Sequence, residues 1–197
     1  MFSFVKEWIY RFRHNRGFGV QSPAAFYFVM HVLRECKHSY YSYAQLNRMA
    51  CKGAGYNAVH LRRLFRISNY FRPYNIISFA KSKDVAAEAL KIGAVSASYI
   101  ATTSIEELTG ALETVGSISL LHIGNTPHCA TALKKALSYT NKKSVIIIEN
   151  LKDCNVMQCY KEAVAMPQVR VSMDMYGYGI LLFDTEYKKQ HYTFCFK

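Results

Sequence analysis

Apolar positions in the first third of the chain follow a helical period. Phe2, Val5, Trp8, Ile9 and Phe12 fall on one face, with Lys6, Arg11 and Arg13 elsewhere on the wheel. Ser22-Pro23 has the chemistry of a helix start, because serine caps orphan amides and proline suits the first turn. Phe26, Val29, Met30 and Leu33 continue that helix as an apolar stripe. A third helix is predicted over 56–71, with Leu61, Leu64, Phe65 and Ile67 inward and Arg62, Arg63 and Arg66 outward. Arg72-Pro73 ends it.

From residue 74 the pattern changes. Strand-like runs at Asn75–Phe79, Ala97–Ala101, Ile118–Ile123 and Val145–Ile148 alternate with helical stretches at Asp84–Ile92, Ser104–Val115, Pro127–Tyr139 and Asp153–Met166. Repeated strand, helix, strand implies a parallel sheet covered on both faces. Val169–Met173, Ile180–Asp184 and Tyr192–Phe196 then follow with no room for a helix, which predicts antiparallel strands closing one edge. The expected fold is therefore α/β and Rossmann-like. Residues 1–73 form a helical extension packed on a core of residues 74–197, together one structural unit.

Composition narrows the function. With 197 residues, 51% of them apolar, the chain can bury one good core. The longest apolar run, Val145–Ile148, is strand-sized, and charges at Lys6, Glu7, Arg11 and Arg13 break any secretory pattern. Cys36, Cys51, Cys129, Cys154, Cys159 and Cys195 form no CxxC pair and read as reduced packing thiols. A cytoplasmic location is expected. The net charge of +12 is one-sided: nine of the ten arginines lie between Arg11 and Arg72. Such a field attracts phosphate, so nucleic acid or anionic lipid is a candidate partner. A solvated basic face is the plainer explanation. The first helix stripe would pack on the sheet or on a second subunit, which admits a homo-oligomer.

Five stretches share one pattern of order and spacing. They are Gly19-Val20-Gln21-Ser22-Pro23-Ala24-Ala25-Phe26, Gly53-Ala54-Gly55, Leu64–Pro73, Glu149–Met157 with Tyr160, and Asp174–Phe183. On these the chain resembles, along nearly its whole length, a family of bacterial, Bacteroidetes-type class I S-adenosylmethionine-dependent methyltransferases. The resemblance implies their sheet, mostly parallel with antiparallel C-terminal strands. It implies S-adenosylmethionine as the cofactor and a small-molecule methyl acceptor that the sequence does not name.

The cofactor-gripping positions depart from that family. Its first strand ends in E-x-G-x-x-x-G, where glycines let the backbone approach the ligand. Here the stretch reads Ser78-Phe79-Ala80-Lys81-Ser82-Lys83-Asp84, so Ser78, Ala80, Ser82 and Asp84 would line the cofactor site. The family's I-D-G-N-H turn reads Ile123-Gly124-Asn125-Thr126-Pro127-His128, leaving Gly124 and Asn125 beside the cofactor. Ala101-Thr102-Thr103 offers no acid for the ribose; Glu106 and Glu107 come later, on the helix. About 16 residues separate Ala101 from Ile118, room for a helix but not for the family's additional strand-helix unit.

The acids of the family's D-D-I motif correspond to Glu149 and Asn150, weak candidates for a divalent cation with no second carboxylate evident. No metal site is therefore assigned, and no catalytic residue. His122, in a buried strand, reads as packing. Tyr40, Tyr41 and Tyr43 near Arg34 and Arg48 are candidates for stacking bases, or equally for anchoring a loop.

Three functions are thus in play. The first is a methyltransferase-like protein of the O-methyltransferase type with weakened or lost cofactor binding, a pseudoenzyme. The second is an active O-methyltransferase. The third is a basic module using Arg11, Arg13, Arg16, Arg62, Arg63 and Arg66 to bind nucleic acid or an anionic surface.

Overall fold

The computed structural model describes residues 22–35, 38–51, 56–80 and 84–194. The expected first helix with Arg11, Arg13 and Arg16, the motif pieces at 19–21 and 53–55, Ser82, and residues 195–197 lie outside the described residues.

Ser22 caps α1 (Pro23–Phe28), its hydroxyl accepting from the Ala25 amide. This helix runs on into a π-helical turn, Val29–Leu33, closed by Arg34 N–H on the Val29 carbonyl at 2.9 Å. Next come α2 (Tyr43–Cys51) and α3 (Ala58–Phe71). Asn57 caps α3 by accepting from His60 N–H. Arg72, at φ 45°, turns the chain out of it.

The alternating part follows: β1 (Asn75–Phe79), α4 (Val85–Gly93), β2 (Ser98–Thr102), α5 (Ile105–Val115), β3 (Ile118–Ile123), α6 (Cys129–Leu137), β4 (Thr140–Glu149) and α7 (Cys154–Ala165). Ser104 and Glu107 form a reciprocal capping box at the start of α5. Three strands close the chain: β5 (Val171–Asp174), β6 (Tyr178–Leu182) and β7 (Gln190–Thr193).

All seven strands form one sheet in the order β2-β1-β3-β4-β6-β5-β7. The fold is the mixed Rossmann-like α/β sheet that the alternation predicts. One strand, β2, lies beyond β1 on that side, as the short Ala101–Ile118 interval requires. The C-terminal part is less simple than three antiparallel strands in succession. Only β6 runs against the sheet, inserted between β4 and β5, and β7 returns parallel to β5 at the edge. Gly179 in β6 is needed for this packing: a Cβ there would lie 2.5 Å from the Tyr160 ring of α7.

Alternate strand residues build two cores. Ile76, Leu120, Ile147 and Ile180 face α1 to α4, and Ile77, Leu121, Ile146 and Leu181 face α5 to α7.

The arginines of α3 correct the sequence reading. Arg66 is only 5% exposed. Its Nε donates to the Val32 carbonyl at 2.6 Å, Nη1 to the Tyr43 hydroxyl at 2.8 Å and Nη2 to the Leu33 carbonyl at 3.3 Å. Arg63 Nε donates to the same Leu33 carbonyl at 3.1 Å. The cause is local. A helix end leaves carbonyls without intrahelical donors, and the π-helical turn presents those of Val32 and Leu33 to α3. Arg62 binds Asn47 of α2. The three side chains stitch α3 to its neighbours and do not form an outward basic face.

Candidate functional site

In open α/β sheets a crevice opens at the carboxyl ends of strands whose connections leave in opposite directions. Here that point lies between β1 and β3, since β1 connects outward to β2 and the chain then returns to β3. Parallel register places Ser78 beside His122. Period-two alternation carries each strand from a core residue to a polar one on the same face: Ile76 to Ser78, Leu120 to His122, Ile147 to Glu149. The last turns of the strands therefore form a polar row on the face covered by α3 and α4.

The members of the row approach one another in turn. Ser78 Oγ and His122 Nδ1 are 3.2 Å apart. His122 Nε2 faces Glu149 Oε1 at 3.5 Å, and His60 Nε2, from α3, meets that same oxygen at 3.0 Å. Ser78, His122 and Glu149 are all buried. Burial alone would raise the Glu149 pKa, but His60 and His122 outweigh it and hold the carboxyl at about 2. Tyr56 stacks on His60 with ring centroids 5.3 Å apart, and Tyr178 meets its edge at 4.7 Å. Burial pushes the Tyr56 phenol up, and Glu149 and Asp84 push it further. Burial likewise raises Tyr99 of β2, against a hydrogen bond with Ser78.

One step beyond this row, β1 and β3 end in Ala80 and Gly124, and their loops touch. A Cβ on Gly124 would stand 2.7 Å from Ala80 Cβ and 2.6 Å from Asp84 Oδ2. Asp84 is fixed there because its other oxygen accepts from the Ala86 amide at 2.8 Å and caps α4. Ala80, Asp84 and Gly124, separated in sequence, are thus brought into one contact.

At the tip of β2, Thr102 donates to the Ser78 carbonyl at 3.1 Å. Glu107 folds back to the same tip, its Oε2 accepting from Thr103 N–H at 2.7 Å and from the Thr103 hydroxyl at 3.0 Å. These bonds, the backbone one first, lower its pKa.

Asn125 and Asn150 lie on the loops after β3 and β4, joined by an Asn150 Nδ2 to Asn125 Oδ1 bond of 3.1 Å. They line a cleft of about 340 Å³ with Pro127, Cys129, Asp153 and Val156. Glu149 does not share this cleft with Asn150, because its carboxylate turns in towards the histidines. No three His, Cys, Asp or Glu side chains among the described residues are set out to hold a metal. Arg62, Arg63 and Arg66 bond to the Asn47 side chain, the Leu33 and Val32 carbonyls and the Tyr43 hydroxyl.

Sequence reasoning missed His60, Tyr56 and the polar role of His122. His60 has no motif around it and reaches Glu149 only because α3 lies across the sheet. A single signal was available: His122 and Glu149 are polar residues inside or ending strands that otherwise read as continuous apolar runs.

No family model matches the chain, and no curated protein does. Solved structures do. It is similar to the SAH-bound Podospora anserina methyltransferase PaMTH1, with TM-score 0.55 and 8% identity over 83% of this chain and 96% of that one. The O-methyltransferase from Bacillus cereus in complex with SAH gives TM-score 0.54 and 10% identity, over 78% and 96%. Cofactor-bound Rv0187 from MTB gives 0.52 and 11%, over 83% and 99%. At these identities the likeness establishes that this chain has the Rossmann-like sheet of the class I methyltransferases.

Proposed function

We propose that the chain is a class I methyltransferase-like protein of the O-methyltransferase type whose hold on S-adenosylmethionine is weakened or lost. The fold supports the first half of this reading, since similar structures carry SAH. The contact of Ala80 and Asp84 with Gly124 carries the second half. A ligand approaching the bend after β1 needs bare backbone, and here it meets a methyl group and a carboxylate already against the opposite loop. The residues present do not fit the sulfonium ligand. On this reading the chain is a divergent member of the Bacteroidetes-type branch, a proposal that the order and spacing of Leu64–Pro73 and Asp174–Phe183 support, and Ser82 lines the weakened cofactor site. We assign it to the cytoplasm, with an acceptor of unknown identity.

An active O-methyltransferase is the second reading, and one observation favours it. The fold uses an acid near the second strand to hold ribose hydroxyls, and Glu107 brings a carboxylate to the tip of β2.

Calorimetric titration with S-adenosylmethionine and S-adenosylhomocysteine separates the two. The expected result is no heat of binding at millimolar ligand for the wild type and measurable binding for Ala80→Gly/Asp84→Gly. Glycine is a tolerable helix cap, so the double variant keeps α4. Micromolar binding by the unaltered chain overturns the reading.

A further inference from the structure

We propose that the tyrosine-lined hollow between α2 and the segment before it binds a nucleotide, free or within a single strand. The hollow has a volume of about 480 Å³, and its lining includes His38, Tyr40, Tyr41, Tyr43, Asn47 and Arg62. It lies on the helical layer and shares no lining residue with the contact of Ala80, Asp84 and Gly124.

A nucleotide site without sequence readout needs an aromatic face for the base and a cation for the phosphate. Tyr41 supplies the face. Its side chain is 102% exposed, so it stands wholly in solvent. Tyr40 and Tyr43 behave differently: their rings are 5.2 Å apart and both pack on Phe65, which makes them a fixed floor.

Arg62 supplies the cation and is held in place before any ligand arrives. Its Nε and Nη2 both donate to Asn47 Oδ1, at 3.1 and 2.7 Å, and its guanidinium carbon lies 4.9 Å from the centroid of the Tyr43 ring. Neither bond uses Nη1, which has no hydrogen-bond partner among the described residues, and a planar fork already seated loses little freedom on meeting a phosphate. Arg63 and Arg66 do not compete, since they are committed to the Leu33 and Val32 carbonyls.

The surroundings favour an anion. Arg34 and Arg48 are close in sequence, and Glu35 is the one acid between them. Glu35 already accepts from His38 N–H at 3.0 Å and pairs with the His38 ring at 3.1 Å. A flat aromatic group carrying negative charge answers all of these features together. An acyl chain answers none of them, because the cation and the stacking face would go unused.

The test is fluorescence anisotropy with short end-labelled oligothymidylate and oligoadenylate at low salt, with adenosine monophosphate titrated by calorimetry alongside. Binding should weaken with rising salt. Tyr41→Ala should weaken it about tenfold, as loss of one stacked base does. Arg62→Gln should weaken it too, and lower the salt slope by about one. The exposed position of Tyr41 keeps its variant folded, which a thermal melt checks. Binding of the monophosphate marks a free nucleotide as the ligand, and binding of the oligonucleotides alone marks a strand; either supports the site. Absence of binding by all three ligands at low salt overturns it, as does binding that both variants leave unchanged. Neither result touches the titration with S-adenosylmethionine, which probes different residues, Ala80, Asp84 and Gly124.

Discussion

His60 and Glu149, 89 positions apart in sequence, meet at 3.0 Å between Nε2 and Oε1 inside the crevice end of the sheet. The contact ties the helical layer to the last residue of β4. A buried carboxylate is tolerable only while paired, and removing one partner leaves its charge uncompensated. His60→Ala should therefore cost about 3 kcal/mol in denaturant unfolding. His60→Gln, which retains a donor, should cost less. Equal stabilities for His60→Ala and the wild type would show the pair to be idle.

The same carboxylate sets an acid limit. Its folded pKa is about 2, below the ordinary value of 4.5. Between those values the unfolded chain binds the proton and the folded one does not, so stability rises with pH through that window. The contribution is complete above the ordinary value and is lost as pH falls towards 2. Its size is about 3 kcal/mol. Urea unfolding between pH 2 and 6 checks it, and Glu149→Gln should flatten that limb of the curve.

Much of the fold was legible because strands covered on both faces leave an apolar signature. Asn75–Phe79 and Ile118–Ile123 are read to the residue. The order β4-β6-β5-β7 was not legible, since Val171–Asp174, Tyr178–Leu182 and Gln190–Thr193 are equally apolar whichever neighbour they take. Arg66 failed for a different reason. Arginine is ordinarily solvated, and its burial depends on carbonyls freed by a π-helical turn 34 residues earlier, which no local pattern announces. The site divides in the same way. The crowded contact involves Ala80 and Asp84, which the sequence resemblance already singled out, whereas the His60–Glu149 pair arises from a helix crossing the sheet.

That crowded contact makes Gly124 irreplaceable in the present sequence. Gly124→Ala should lower stability by about 1–3 kcal/mol, because a new methyl would overlap Asp84 Oδ2 and Ala80 Cβ. The same substitution placed on Ala80→Gly/Asp84→Gly should cost less. A double-mutant cycle measures the difference. Additive costs would mean that the two loops do not touch.

Arg66 tests whether the helical layer is held by geometry or by charge alone. Three donors on one planar group reach the Val32 carbonyl, the Leu33 carbonyl and the Tyr43 hydroxyl, which belong to the π-helical turn and to α2. Arg66→Ala leaves the Val32 carbonyl and the Tyr43 hydroxyl without this donor, while the Leu33 carbonyl keeps Arg63 Nε, and should cost about 3 kcal/mol. Lysine keeps the charge but presents it as a point on a flexible stem, which cannot span acceptors on two elements. Arg66→Lys should therefore recover less than half of the loss, and hydrogen exchange should quicken in Val29–Leu33 before it does in the sheet. Full recovery by lysine would mean that the charge, and not the fork, holds α1 and α2 against α3.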